Sequence, residues 1–335
     1  MVVWSLFIAC TAVILFTGTL LSKYGDILAE KSGLGRTLIG VILMASVTSL
    51  PELITGISSI IIFDLPNIAA GDVIGSCMFN LVILALLDLV DLGNPLPLPA
   101  RAHQGHVLSA GFGILLLGLV VMGVVAGERL PRIAWIGVYS VVFIAVYMVA
   151  MRMIFLHEKN RISRFIEEMA EELQYQHMSG ARALAMYVLN AVVLIGAATY
   201  LPHLGEQIAE LTGLGQTFVG NILIALSTSL PEVAVSVAAV RIGAIDMAVG
   251  NLFGSNLFNI AVLALDDILY VKGPLLLWIS STHTVAAVSA ICMTAIAIIG
   301  LTYRTTNKKP LFFSWDSLGI LGIYSVAIVL LYRAR

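Results

Sequence analysis

The stretch Gly40-Val-Ile-Leu-Met-Ala-Ser-Val-Thr-Ser-Leu-Pro-Glu52 returns as Gly220-Asn-Ile-Leu-Ile-Ala-Leu-Ser-Thr-Ser-Leu-Pro-Glu232, and both copies sit inside long apolar runs. A carboxylate in the middle of an apolar helix is expensive in lipid, so a chain that keeps one there uses it. Two such acids, in matched settings half a chain apart, call for a duplicated membrane fold. Composition agrees: only 11% of residues are charged and 59% are hydrophobic, against roughly 25% charged in soluble domains. One large soluble core would need polar surface that this chain lacks.

Apolar runs long enough to cross a bilayer lie near 2–30, 36–62, 66–91, 106–126, 131–153, 181–210, 216–240, 244–270, 280–302 and 314–332. The expectation is an all-α membrane protein of about ten transmembrane helices. The first run has no basic flank and no small-residue cleavage site, so it reads as a retained helix. The repeat extends beyond the Pro-Glu stretches. Ser32-Gly-Leu-Gly-Arg-Thr37 matches Thr212-Gly-Leu-Gly-Gln-Thr217, and Gly71-Asp-Val-Ile-Gly-Ser-Cys-Met-Phe-Asn80 matches Gly250-Asn-Leu-Phe-Gly-Ser-Asn-Leu-Phe-Asn259. The match runs on until Asp88 pairs with Asp267. Five helices per half is an odd number, so the halves enter the membrane from opposite sides. That gives two inverted five-helix repeats, over 1–153 and 181–335, joined by a cytoplasmic linker over 154–180. Placing both termini outside leaves only Arg129, Arg132, Lys272, Arg333 and Arg335 on the outer side and the remaining Lys and Arg inside, as the positive-inside rule asks. The linker's Glu167, Glu168, Glu171 and Glu172 beside Ile166, Met169 and Leu173 read as a short amphipathic helix with a solvated face.

On a helix, residues three, four and seven before Glu52 share its face; they are Ser49, Thr48 and Ala45. Pro51 has no N–H, so the carbonyl of Val47 loses its partner. In the second copy Glu232 carries Ser229, Thr228 and Ala225, and Pro231 frees the carbonyl of Ser227. Broken backbone is tolerated in a membrane where it lines a cavity or finds a partner. The neighbouring segments add Ser76 with Asn80 and Ser255 with Asn259, each pair four apart and so on one face. Gly71, Gly75, Gly250 and Gly254 permit close helix approach. Interhelical hydrogen bonding accounts for any one of these polar residues, but less well for a duplicated set around two acids. Carboxylate, hydroxyl, amide and carbonyl oxygens are hard ligands of the kind Ca²⁺ and Na⁺ take. The pattern points to a cation transporter. Two carboxylates neutralise one divalent ion, and empty they repel each other, so the site exchanges one load for another, as an antiporter does. Asp88, Asp266 and Asp267 fit either a cation funnel or solvated helix ends. His103 and His106, in a loop, lack a third ligand for a metal. Cys10, Cys77 and Cys292 are isolated, giving neither a disulfide framework nor a zinc pattern. The net charge of −2 offers nothing to nucleic acid.

These residues resemble the cation/calcium exchanger superfamily, most closely its sodium/calcium exchanger branch in a minimal prokaryotic form. The Thr-Ser-Leu-Pro-Glu and Gly-Ser-x-x-Phe-Asn segments carry the likeness. The resemblance implies a ten-helix fold of two inverted repeats in the plasma membrane. A self-contained bundle of ten helices is expected to function as a monomer. The resemblance also implies exchange of Ca²⁺ for Na⁺ by alternating access, with the first and sixth helices sliding. Glu52 and Glu232 would bind Ca²⁺ and share a Na⁺ site. Thr48, Ser49, Thr228, Ser229, Ser76 and Ser255 would add oxygens, with the backbone carbonyls of Ala45 and Ala225. This chain departs from the pattern at Asn259, where Asp is usual, at Val47 and Ser227, where Gly is usual, and at Cys77, where Asn is usual. The departures leave open an H⁺/Ca²⁺ exchanger or one for another divalent such as Mg²⁺. A passive channel and an intramembrane enzyme are the competing classes; no His-Glu-x-x-His motif supports the latter. No cofactor is expected beyond the transported Ca²⁺ and Na⁺.

Overall fold

The computed structural model describes residues 1–31, 47–90, 96–169, 179–303 and 313–334. Its long helices are α1 (Val2–Lys31), α2 (Leu50–Ile61), α3 (Pro66–Val90), α4 (His106–Ala126), α5 (Val138–Met169) and α6 (Gly180–Thr212). A bent pair follows, α7a (Gly215–Thr228) and α7b (Leu230–Arg241), which meet at 43°. Then come α8 (Ile245–Leu269), α9 (His283–Tyr303) and α10 (Trp315–Arg333). Among the described residues eight helices are long and apolar enough to cross a membrane, and up to nine if the bent pair is one span. The run expected at 36–62 is described only from residue 47, where α2 supplies its second part; Ala45 lies outside the described residues.

α3 and α8 form the centre. In their apolar windows 78% and 72% of residues are buried, against 22% for α1 and for α6. α1 packs along α6 and turns Leu6, Ile8 and Phe16 outward, while α6 turns out Val188, Leu189 and Val192. Such an apolar exterior is suited to lipid.

The connections sort into two ends. At one end Asn67 Oδ1 accepts from the backbone N–H of Ser280 at 2.7 Å, Trp135 donates to the carbonyl of Ile268 at 3.0 Å, and Lys272 pairs with Asp64. At the other, Asp246 accepts from the backbone N–H of His103 at 2.7 Å and lies 3.1 Å from His106 Nε2. The His-x-x-His pair is therefore tied to an acid that opens α8. Since α3 runs from Asn67 towards the His103 loop and α8 from Asp246 towards Tyr270, the two central helices are antiparallel.

Asp88 and Asp267 are neither a funnel nor solvated helix ends. Asp88 is buried and accepts from Leu98 N at 3.0 Å, Ser314 Oγ at 2.7 Å and Ser317 Oγ at 2.9 Å. Asp267, also buried, accepts from Gly137 N at 3.0 Å, Ser140 Oγ at 2.6 Å, Leu275 N at 2.6 Å and the Tyr139 hydroxyl. Each carboxylate gathers the loop donors that a helix cannot satisfy itself.

The fifth helix departs from expectation at both ends. A hairpin pairing Arg132 with Gly137 precedes it, so it begins at Val138 and not near 131. It then continues to Met169, through the first part of the segment expected as a separate linker helix. No Gly or Pro interrupts 138–169, and nothing local ends the helix sooner.

Two glycines fix how closely α3 meets α7a. A Cβ on Gly75 would fall 2.2 Å from the carbonyl oxygen of Asn221, and one on Gly71 would fall 2.9 Å from Asn221 N. These neighbours are backbone and cannot swing aside. Gly75→Ala is expected to destabilise the protein by about 3 kcal/mol or more. Gly111→Ala, on an exposed position with nothing within 4 Å, should be silent. Thermal unfolding of both variants in detergent checks this; equal midpoints would contradict it.

Candidate functional site

The helix breaks have the same backbone. Ser49 precedes α2 with φ −87° and ψ 14°, and Ser229 precedes α7b with φ −85° and ψ 6°. Pro51 and Pro231 occupy the first turn beyond them, where a missing N–H costs no intrahelical bond. The breaks thus deliver Glu52 and Glu232 to the first turn of a new helix, near its positive end. α1 braces the second break: Thr11 Oγ1 donates to Ser227 Oγ at 2.9 Å, and a Cβ on Gly18 would fall 2.5 Å from the Pro231 ring.

Each break holds the acid of the other. Ser49 Oγ donates to Glu232 Oε1 at 3.0 Å, and Ser229 Oγ donates to Glu52 Oε1 at 3.1 Å. The central helices add to this. Ser255 Oγ donates to Glu232 Oε1 at 3.3 Å, and Ser76 Oγ lies 2.9 Å from Ser229 Oγ and 3.5 Å from the carbonyl of Ala225. Thr228 Oγ1 also approaches that carbonyl, at 3.2 Å. The threonines reach outward in matching fashion: Thr228 donates to Asp72 Oδ1 at 2.7 Å, and Thr48 to Asn251 Oδ1 at 3.4 Å. Asp72 and Asn251 occupy the same position in the two copies.

Where α3 crosses α8, Asn80 donates to Asn256 Oδ1 at 2.9 Å, and Asn259 Nδ2 lies 4.0 Å from Cys77 Sγ. Asn256 in turn donates to the carbonyl of Cys77 at 3.2 Å. The first two of these bonds each use one N–H of the Asn80 or Asn259 amide, and the carbonyl oxygens of both take no donor.

The structure brings together Glu52, Glu232, Thr48, Ser49, Thr228, Ser229, Ser76, Ser255, Asn80, Asn259 and Ala225, all of them buried. Three participants were not singled out from sequence. They are Asp72, Asn251 and Asn256. The spacing held the signal for two of them, because Asp72, Ser76 and Asn80 are four apart, as are Asn251, Ser255 and Asn259. Asn256 belongs to no such series and becomes visible only when the helices cross.

The oxygens left over are all acceptors. Glu52 Oε2, Glu232 Oε2, Asp72 Oδ2, Asn80 Oδ1 and Asn259 Oδ1 are buried without a hydrogen-bond donor. Buried polar atoms in a folded protein find partners nearly always, and buried carboxylates are held by opposite charge or neutralised. Five acceptors concentrated on facing elements ask for cations. Among the described residues no three His, Cys, Asp or Glu converge as they do around a transition metal. The donor set of carboxylate, hydroxyl, amide and carbonyl oxygen is that of Ca²⁺ or an alkali cation.

Comparison with known proteins agrees. The sequence profile of the family described as "Sodium/calcium exchanger protein" matches residues 2–156 and 182–333. The inner membrane protein YrbG of Escherichia coli is 28% identical over 241 residues, 71% of this chain and 70% of that protein. The sodium/calcium exchanger MaX1 of Methanosarcina acetivorans is 31% identical over 153 residues, 45% of this chain and 41% of the relative. The solved structure of the sodium-calcium exchanger NCX_Mj superposes with a TM-score of 0.62 at 20% identity, covering 97% of each chain; at that identity the likeness shows the fold. With the profile spanning both halves, the chain belongs to the sodium/calcium exchanger family.

Proposed function

We propose that this protein is a Na⁺/Ca²⁺ antiporter of a prokaryotic plasma membrane, with Glu52 and Glu232 as the charged ligands of one shared ion site. The observation that carries this reading is the set of buried acceptor oxygens without donors around two carboxylates that are each held by the opposite helix break. Thr48, Ser49, Thr228, Ser229, Ser76, Ser255, Asn80 and Asn259 supply the remaining side-chain oxygens, and the carbonyls of Ala225 and Ala45 complete the set.

Antiport follows from charge. Two carboxylates in a membrane interior are stable only when neutralised, by metal cations or by protons. Ca²⁺ or a pair of Na⁺ ions neutralises them equally, so the site can switch sides with either load and not without one. All its side chains are fully buried in this conformation, as an occluded intermediate of alternating access requires. The breaks at Ser49 and Ser229 are where the elements carrying Glu52 and Glu232 can tilt. α1 and α6, packed on each other and outside the central helices, are placed to slide and open either side.

The same reading makes the chain two inverted five-helix repeats over 1–153 and 181–335, with 154–180 between them and both termini outside. The reciprocal serine–glutamate bonds support it. So do Asp88 and Asp267, repeat mates that tie loops at opposite ends of antiparallel helices. A single chain holds the whole site, and the protein functions as a monomer on this account.

Asn259 leaves one carboxylate fewer to hold Na⁺ than the family's usual Asp would, and this favours one alternative, coupling to H⁺ carried on Glu52 and Glu232 in place of Na⁺. Flux separates the two. Proteoliposomes loaded with Na⁺ should take up ⁴⁵Ca²⁺, and vesicles loaded with K⁺ or choline at clamped pH should not. Uptake driven by a pH gradient and indifferent to Na⁺ would transfer the protein to the proton-coupled reading. Glu52→Gln and Glu232→Gln should each cut uptake at least about 100-fold, since even a group behind a metal ligand costs 10–100-fold when lost. Full transport by either variant would remove the acids from the site.

A further inference from the structure

Asp266 is a fully buried acid on α8, and neither of its carboxylate oxygens has a donor. It lies against α2 at Gly56, where a Cβ would fall 2.6 Å from Asp266 Oδ2 and 2.8 Å from Oδ1. Gly56 is four residues beyond Glu52, hence one turn further along the same face. Ser59, seven beyond Glu52, continues that face, and its hydroxyl is buried without a partner. Its neighbours on α2 spend their hydroxyls on carbonyls, Thr55 on that of Ala198 at 3.4 Å and Ser58 on that of Thr55 at 3.1 Å. On α3, Asp72 is near enough for its charge to act on Asp266, and its Oδ2 is bare as well. Bare oxygens of Asp266, Asp72 and Ser59 thus lie on the side of the glutamate pair that faces Asp64 and Lys272.

The fold does without these groups at its other end. There α7b and α3 take the parts of α2 and α8. Ser236 stands for Gly56, Ala239 for Ser59, Leu87 for Asp266 and Asn251 for Asp72. Asn251 donates to Ser236 Oγ at 3.5 Å, and Leu87 is a buried apolar residue. The same helices therefore pack without an acid and without a bare oxygen at these positions. Among the described residues no Lys or Arg forms an ion pair with Asp266 or Asp72. An ionisable group inside a membrane is costly and marks the route of an ion. One that the repeat mate lacks serves transport at one end only.

We propose that Asp266, with Asp72 and Ser59, forms a staging site that holds Ca²⁺ in transit between the Asp64–Lys272 end and the glutamate pair. This inference rests on the antiporter reading, whose topology makes that end the outer one. Two carboxylates and a hydroxyl are hard oxygen ligands suited to a divalent ion. A staging site has to bind well enough to take up the ion and weakly enough to pass it on. Two Ca²⁺ ions one helical turn apart, about 6 Å, also repel strongly. The staging site is therefore filled only in passing, and equilibrium binding counts the single ion on Glu52 and Glu232. Acids that no ion occupies are neutral through protons. The charges of Glu52, Glu232, Asp72 and Asp266 are thus balanced whether Ca²⁺ is at the staging site or beyond it. The inner approach, with Leu87 in place of Asp266, has no such stage.

The test is ⁴⁵Ca²⁺ transport by the full chain in vesicles, with Ca²⁺ offered to one face at a time against Na⁺ on the other. Orientation is read from the face at which a membrane-impermeant maleimide labels Ser281→Cys, an exposed position in the loop that carries Lys272. In Asp266→Asn the KM for Ca²⁺ offered on the Lys272 face should rise at least about tenfold, the lower end of what an acid-lined cleft adds to the arrival of a counter-ion. The KM on the opposite face and the equilibrium affinity for Ca²⁺ should stay as in the wild type. Ser59→Ala should raise the KM on the Lys272 face alone, and it serves if Asp266→Asn does not fold, which thermal unfolding reports. A KM unchanged on the Lys272 face, or raised equally on both faces, in a folded variant overturns the proposal and leaves the antiporter reading standing. A wild type that takes up no Ca²⁺ against Na⁺ from either face overturns the antiporter reading, and this inference with it.

Discussion

The structure depends on two hydroxyl-to-carboxylate bonds that cross between helix breaks. Ser49 holds Glu232 and Ser229 holds Glu52. Neither acid could stay in an apolar interior unaided, and neither break would have a reason to face the centre without the opposite acid. Proline sets up both sides of this arrangement. It interrupts the incoming helix, turns the serine out of helical geometry, and starts a new helix whose first turn carries the glutamate. Each break is then useful only in the presence of the other, which binds the two halves of the chain into one site.

Around that pair the protein separates two kinds of buried acid. Asp88 and Asp267 are saturated with loop donors and act as structural anchors at the two ends. Glu52, Glu232 and Asp72 each keep an oxygen bare. Burial alone does not distinguish the groups; the count of donors does. The close backbone contact of Gly71 and Gly75 with Gly220 and Asn221 then sets the distance at which Ser76 and Asp72 meet Thr228 and Ser229. Asp266 is a further bare acid, on α8, where Gly56 leaves room for it one turn beyond Glu52.

Much of this was legible in the sequence, because lipid imposes strong rules. A run of about twenty apolar residues has few alternatives to a spanning helix, and most of the described helices begin and end within a few residues of the runs. The Thr-Ser-Leu-Pro-Glu repeats named both acids and the hydroxyls around them. Less legible were features that depend on partners distant in sequence. Whether Asp88 is a funnel or an anchor depends on Ser314 and Leu98, which periodicity does not connect to it. Asn256 matters through the crossing of α3 with α8. Asp72 lies on the Ser76–Asn80 face by spacing alone, but its contact with Thr228, matched by that of Asn251 with Thr48, appears only when the helices are packed. The start of α5 was missed because a hairpin of two-residue strands has too few residues to show a period.

The most direct measurement is equilibrium binding of ⁴⁵Ca²⁺ to the purified protein, in K⁺ and in Na⁺, for the wild type and for the Glu52→Gln/Glu232→Gln double variant. The account predicts one saturable Ca²⁺ per chain, displaced by Na⁺ and absent from the double variant. Saturable Ca²⁺ binding that survives loss of both glutamates would contradict it.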